Sequence, residues 1–336
     1  MQTIEVTKPR KMTRREMREV IGDKPIHRAE MRHMVDLYNQ IQHFRMAGTN
    51  QVGAAERSGE PPGDFAKHIM KKLHGTEEEI ARYLDEMVSQ TAVGTWAKSI
   101  VGVGPVIAAG FLAHIDIRQA PTVGHIWRFA GLDPSQSWLG AVKARALVAE
   151  LAGSGLLEDL IPVVAGRVGC KTETLRKFAT SDINGKPIKL TEESLSKAAA
   201  KRPWNAALKV LCWKLGESFV KTYNNPEGYY GQVYVSRKVR EEAMNKAGNF
   251  EDQATSILKS KRLGKSTEAY KAYSQGKLPP AHIHARAKRY AVKLFLAHYH
   301  WVAYESEYGA PPPKPFVIEH LGHADLLTPP NWKKKE

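Results

Sequence analysis

The residues best spaced for chemistry lie at Ile100-Val101-Gly102-Val103-Gly104-Pro105, inside the stretch WAKSIVGVGPVIAAGFLAH over 96–114. Val93, Trp96 and Ile100 precede it, and Val106, Ala109, Phe111 and Leu112 follow, at helical spacing. Glycines at 102 and 104 reach backbone angles closed to other residues and leave their peptides uncovered. Pro105 suits the first turn of a helix, where no N–H is needed. The amides of Gly102, Val103, Gly104 and Val106 would then face outward at a helix start, a natural seat for a phosphate. Lys98 and Arg128 are the candidate flanking cations.

Two further sets of cations could meet an anionic polymer. Gly166 and Gly169 lie just before Cys170–Phe178, and two short helices joined at Gly169 would form a helix-turn-helix. Lys171, Thr172, Thr174 and Arg176 on its second helix would be open to a major groove. Such pairs also occur as plain packing units in all-α cores. Residues 259–293 carry Lys259, Lys261, Arg262, Lys265, Lys271, Lys277, Arg286, Lys288, Arg289 and Lys293 against Glu268. On the helix that ends this stretch, Lys288, Arg289 and Lys293 are expected to face outward, while Arg286 fits either side. A solvated face and a phosphate-contacting face both fit this density.

Metal chemistry finds less support. His282/His284, His298/His300 and His320/His323 form close pairs, but the pair at 298 and 300 diverges on a helix. His320 and His323, with Glu319 and Asp325 nearby, have better spacing, yet zinc wants four converging ligands. Histidines packed beside aromatic residues are the preferred reading, and no metal site is predicted. No Walker loop or dinucleotide fingerprint occurs, because Gly102-Val103-Gly104 lacks a preceding strand and a further glycine.

The 336 residues carry a formal net charge of +15 with 42% hydrophobic content, enough for an ordinary core and suggestive of a polyanionic partner. No run approaches the roughly 20 apolar residues of a membrane span, and no signal-peptide core follows the start. Two cysteines, Cys170 and Cys212, make no disulfide framework. A reducing setting, cytoplasmic or nucleoid, is expected.

The elements that must position these residues are helical throughout, and the fold class expected is all-α. Residues 1–27 read as a basic arm. Residues 28–140 form a helical region containing the hairpin, with Met31, Met34, Val35, Tyr38 and Ile41 on one core face. Within it, Gly48–Asp64 reads as a loop, and Phe65–Leu73 as a helix closed by Gly75. Thr76 and Glu79 have capping-box spacing. Thr122 can cap a short helix over 123–130. Residues 141–201 read as a helical insertion, 202–308 as a basic helical region, and 309–336 as a proline-rich tail. The helix over 203–220 is apolar on more than one face and should be interior.

Around the hairpin the pattern becomes that of a helix-hairpin-helix, which grips DNA backbones without reading sequence; the competing reading is a tight αα-hairpin that only packs. GVGPVIAAGFLAHID followed by FAGLDPSQSWLG resembles the carboxy-terminal domain of insertion-sequence transposases that pair an acidic nuclease-like domain with a serine-bearing one. That family has a Gly-x-Gly-Pro hairpin, an Ala-Gly-Leu-x-Pro turn, matched by Ala130–Pro134, and a Ser-Gly element. Its closing helix matches Ala287, Ala291 and Leu294. The resemblance spans roughly 80–304, interrupted by 141–201. The nuclease-like half has no counterpart here, and Ser135-Gln136-Ser137-Trp138-Leu139-Gly140 replaces the Ser-Gly element. The resemblance implies Ser137 as the nearest candidate nucleophile and Ser135 as the second, though no activating base stands beside either. His125-Ile126-Trp127-Arg128 also resembles a run in base-excision glycosylases, but Val123 holds the place of their aspartate and Pro105 or Val106 that of their lysine. That chemistry is therefore rejected.

These readings converge on a DNA-binding protein, from a mobile element or virus, that holds duplex or branched DNA through phosphates. RNA and a homo-oligomer are further possible partners; no membrane is expected. An enzyme that cuts or joins DNA with Ser137 is the first alternative, and a structural helical protein the second. No cofactor is expected, with Mg²⁺ entering only in the enzyme reading.

Overall fold

The computed structural model describes residues 11–22, 28–135, 138–153, 156–182, 184–313 and 327–332. Among them the fold is all-α: fifteen α-helices and one 3₁₀ turn, with a single bridge between Ser181 and Pro187 as the sole extended pairing. The chain divides into two compact units. Unit 1 comprises residues 1–122 and 213–336, and unit 2 residues 123–212. Unit 2 contains the whole segment 141–201.

Within the stretch read as a basic arm, residues 1–10 and 23–27 lie outside the described residues, while Arg14–Ile21 form α1. Thr13 and Glu16 form a reciprocal capping box at its start, and Met17 is buried. Buried Glu86 receives Arg14 at 2.7 Å and Arg18 at 2.5 Å, which ties α1 down. The Arg18 hydrogen bond leads in holding the Glu86 carboxyl below its ordinary range, against the cost of burial.

Next, α2 (Arg28–Arg57) runs straight through Gly48 and Gly53, so most of the loop expected over 48–64 is helix. Gly48 is there for packing. A Cβ built on it would fall 2.4 Å from the Met70 sulfur of α3 (Asp64–Ser89). Gly75 does not end α3 either. Thr76 turns its hydroxyl back to Lys72 O at 3.1 Å and caps nothing. Then come α4 (Ala92–Lys98), α5 (Pro105–His114) and the 3₁₀ turn Ile117–Gln119.

Unit 2 opens with α6 (Val123–Phe129), close to the span expected, followed by α7 (Gly140–Ala152), α8 (Leu157–Val168), α9 (Thr172–Ala179) and α10 (Glu192–Ala199). Its core is aliphatic. Ala144 and Val148 of α7 meet Leu160, Ile161, Val164 and Ala165 of α8, Leu175 and Ala179 of α9, and Leu195, Ala198 and Ala199 of α10. Many of these are alanines, which let short helices approach closely. Gly169 ends α8 in the left-handed region at φ +71° and reverses the chain into α9. The boundary between the units falls within α11 (Ala206–Lys221). Leu208, Leu211, Cys212, Leu215 and Phe219 of α11 are buried, but Val210 and Trp213 are 54% and 59% exposed, so this helix is not interior all round.

Unit 1 is completed by α12 (Tyr229–Lys246), α13 (Glu251–Ser260), α14 (Glu268–Ser274) and α15 (Pro280–Tyr308). Its core is built on rings. Phe295 stacks on Trp96 at 5.6 Å and meets Phe111 at 5.3 Å, Tyr230 at 5.4 Å and Phe219 at 5.9 Å. Residues 327–332 close over α4 and α15: Trp96 Nε1 donates to Pro330 O at 2.7 Å and Trp332 Nε1 to Glu305 at 3.0 Å.

Candidate nucleic-acid interface

In the hairpin, Thr91 caps α4 by accepting from Gly94 N at 2.9 Å. The helix ends in two tight turns, Ile100 N to Ala97 O and Val103 N to Ile100 O. Val103 is buried, and its amide is taken up inside the turn, so it is not among the outward donors expected. Gly102 is required by the fold. Its φ is +92°, its carbonyl accepts from Ser218 Oγ at 2.6 Å, and a Cβ there would press on Ser218 of α11 and on Thr222 just beyond it.

Gly104 differs. It is exposed, has φ −84°, and a Cβ built on it would meet nothing within 4 Å. It is the N-cap of α5 and supplies no side-chain cap, and Pro105 follows at the first helical position. The amides of Val106 and Ile107 therefore belong to a first turn that its N-cap residue leaves uncapped.

Of the two cations expected to flank this corner, one is already paired within unit 1. Lys98, at the end of α4, forms an ion pair with Asp85 and donates to Ser89 Oγ at 2.8 Å. Arg128 is exposed on α6 and belongs to unit 2.

The second set keeps its two-helix form. Lys171 and Thr174 are exposed and Thr172 is half-buried on α9, while Leu175 and Ala179 face the core. Arg176 pairs with Glu158 of α8, so its charge is partly met within the unit.

The third set divides. Lys259, Lys261, Arg262, Lys265, Lys271, Lys277 and Arg289 are exposed. Lys288 turns inward: its side chain is 15% exposed, pairs with Glu217 and packs on Gly216, contrary to the outward placement expected. The Lys288 hydrogen bond holds the Glu217 carboxyl below its ordinary range. Arg286 is also committed, to buried Glu241 at 2.6 Å and Gln253 at 3.1 Å, with its guanidinium over Phe250. Burial disfavours charge on Glu241, but Arg286 and Arg237 outweigh it and keep the carboxyl below its usual range.

The four described histidines of the close pairs each meet a hydrogen-bond partner of their own. His282 meets Tyr273, His284 meets Tyr234, His298 sits between Tyr230 at 2.7 Å and Leu327 O at 3.0 Å, and His300 reaches Ala120 O. Burial pushes His298 down to about 4. Among the described residues no three His, Cys, Asp or Glu converge on a metal position. His320 and His323 lie outside the described residues, as does Ser137. Ser135 donates its hydroxyl to Asp133 Oδ1 at 2.7 Å, and its amide bonds the same oxygen. That is the geometry of a chain-turning residue.

Sequence reasoning missed a further group, all within unit 2. Gly131, in the Ala130–Pro134 turn, has φ +64°, and a Cβ there would lie 2.7 Å from the Trp204 ring. Trp204 meets Trp138 edge-on at 6.3 Å and carries Lys209 Nζ 3.8 Å above its face. Arg202 lies over Trp138 at 4.9 Å and Lys201 over Phe178 at 3.4 Å. The sequence signal was Lys201-Arg202-Pro203-Trp204, a basic–aromatic run at the edge of the insertion.

Residues 95–150 match the sequence model of the transposase IS116/IS110/IS902 family. The matched stretch runs from α4 through the hairpin, α5, α6 and the Ala130–Pro134 turn into α7. That stretch is transposase-like. No curated protein and no solved structure matches the chain. No described helix is long and apolar enough to cross a membrane.

Proposed function

We propose that this is a DNA-binding protein of transposase-like character, which holds the DNA backbone through the α4–α5 helix-hairpin-helix and adds diffuse grip through exposed cations. Gly104 carries the reading. The fold demands glycine at 102 but not at 104, where the backbone angle is ordinary and a side chain would meet only space. A glycine that the fold does not need, at the mouth of an uncapped helix start, suits close approach by a phosphate. The transposase match over 95–150 and the +15 net charge support the same partner. Lys171, Lys259, Lys261, Arg262 and Arg289 contribute as exposed charge, and a mobile element or virus is the source we favour. Lys98 and Lys288, held in ion pairs, contribute less.

Gel shifts of linear, nicked and four-way DNA across a salt series test this. Binding should weaken steeply with salt. Gly104→Glu should lower affinity about tenfold or more while melting stays near wild type, one lost phosphate contact plus one added repulsion. Unchanged affinity in that variant removes the hairpin from the interface.

The family match also favours a second reading, a strand-transfer enzyme with Ser137 as nucleophile and Mg²⁺ as a possible aid. It predicts that Ser137→Ala abolishes nicking or joining and leaves binding intact.

A further inference from the structure

Unit 2 holds a cleft of about 430 Å³ between α9, the end of α10 and residues 201–205. That volume lies in the range of about 300–1,000 Å³ typical of small-ligand sites. Arg128, Lys171, Lys201 and Arg202 line it, and no carboxylate does. Three rings share the wall, Phe129, Phe178 and Trp204, and Trp138 stands edge-on behind Trp204. Phe129 and Phe178 are about two-fifths exposed, at 43% and 40%.

We infer that this cleft seats an unpaired nucleotide of a DNA strand, its base against the rings and its phosphate against Lys201 and Arg202. The inference rests on the nucleic-acid reading above and adds a second, separate contact. Cations without acids select an anion, and exposed rings select a flat, apolar face next to it; a nucleotide supplies both. In a duplex the base faces are covered by their neighbours, whereas an unpaired strand offers them. The lysine–ring contact indicates how the exchange would work. Lys201 now covers the Phe178 face at 3.4 Å. An arriving base takes over the ring while its phosphate keeps the ammonium paired, so neither group is left without a partner. The fold holds the site open by ordinary means: Asn205 N bonds Phe129 O at 2.9 Å, and Trp138 Nε1 bonds Ala200 O at 2.7 Å.

The test uses the full chain with labelled oligo(dT), oligo(U) of equal length and a mixed-sequence duplex, read by fluorescence anisotropy and tryptophan quenching. Oligo(dT) should bind and quench tryptophan emission. Phe178→Ala and Lys201→Glu should each weaken oligo(dT) about tenfold and change duplex affinity less than about twofold, since one stacked base or one phosphate contact is lost. Arg202→Gln serves the same comparison if either variant melts early. Gly104→Glu should do the reverse, weakening duplex and sparing oligo(dT). Absence of oligo(dT) binding beside intact duplex binding overturns the cleft and leaves the hairpin reading standing. Equal losses on both probes overturn it also, and oligo(U) binding about tenfold tighter than oligo(dT) replaces DNA with RNA as the occupant.

Discussion

Unit 1 builds its core on aromatic rings, though it also leaves Phe44, Phe65, Trp213, Tyr223, Tyr290 and Tyr308 exposed, whereas unit 2 keeps its rings out of its core. In unit 1, Trp96, Phe111, Phe219, Tyr230, Phe295 and Tyr299 are all buried. Unit 2 has five aromatic residues, Trp127, Phe129, Trp138, Phe178 and Trp204, and none is buried. Its core is alanine, valine, leucine and isoleucine alone. Polar groups follow the same division. Unit 1 buries Glu86, Glu241 and His298, each with its own partners, while unit 2 lays Lys201, Arg202 and Lys209 over rings. A ring in a core accounts for itself by packing. A ring kept at a surface beneath a cation does not; unit 1 has two scattered pairs of this kind, Arg237 over Tyr290 and Lys288 over Trp213, but unit 2 gathers three at or beside one cleft, which directs attention to it as a recognition surface.

The sharpest way to break this contrast is Phe295→Ala. It removes the ring on which Trp96, Phe111, Phe219 and Tyr230 converge, and should cost about 3–5 kcal/mol by chemical denaturation. A loss below about 1 kcal/mol would deny unit 1 its aromatic centre.

Acid gives the next effect. His298 sits at about 4 in the fold against an ordinary 6.5, so its neutral form is the folded one. The stability this represents is complete above about pH 6.5 and is lost as pH falls toward 4, about 3 kcal/mol in all. Burial lowers His114, His282 and His284 as well, all in unit 1. Urea melts at pH 7 and pH 4.5 should show this loss in wild type and a shallower one in His298→Gln. Equal slopes would remove His298 as a cause.

Trp138→Ala should be the mildest, within about 1 kcal/mol, because the ring is 43% exposed and loses one hydrogen bond, to Ala200 O, and an edge contact with Trp204. A larger cost would turn the surface rings of unit 2 into structural ones.

How much was legible follows the same lines. The hairpin, α6 and the Gly169 turn were readable because local rules decide them: glycine at positive φ, proline at the first helical position, a short amphipathic run. The loop over 48–64 was misread because glycine reports permissiveness, not its use. Gly48 is small to admit Met70, a partner that only the packed α2–α3 pair reveals. The start of α1 was readable in principle from Thr13-Arg14-Arg15-Glu16, a capping box hidden inside a basic stretch. Lys288 was illegible. Its inward turn depends on Gly216 and Glu217, about seventy residues away in sequence. The cleft of unit 2 escaped for the same reason, since Phe178, Trp138 and Lys201 gain meaning only when α9 and the 201–205 segment come together.

The interruption of unit 1 by unit 2 has a consequence for biosynthesis. Trp96 leaves the ribosome long before Phe295, with all of residues 123–212 emerging between them. At about 5–20 residues per second that delay is on the order of ten to forty seconds. Residues 123–212 close on themselves and can fold during it, while the faces of α4 and α5 that meet α15 wait uncovered. Nascent-chain aggregation and chaperone capture should therefore concentrate on the first third of the chain, before its partner helices exist.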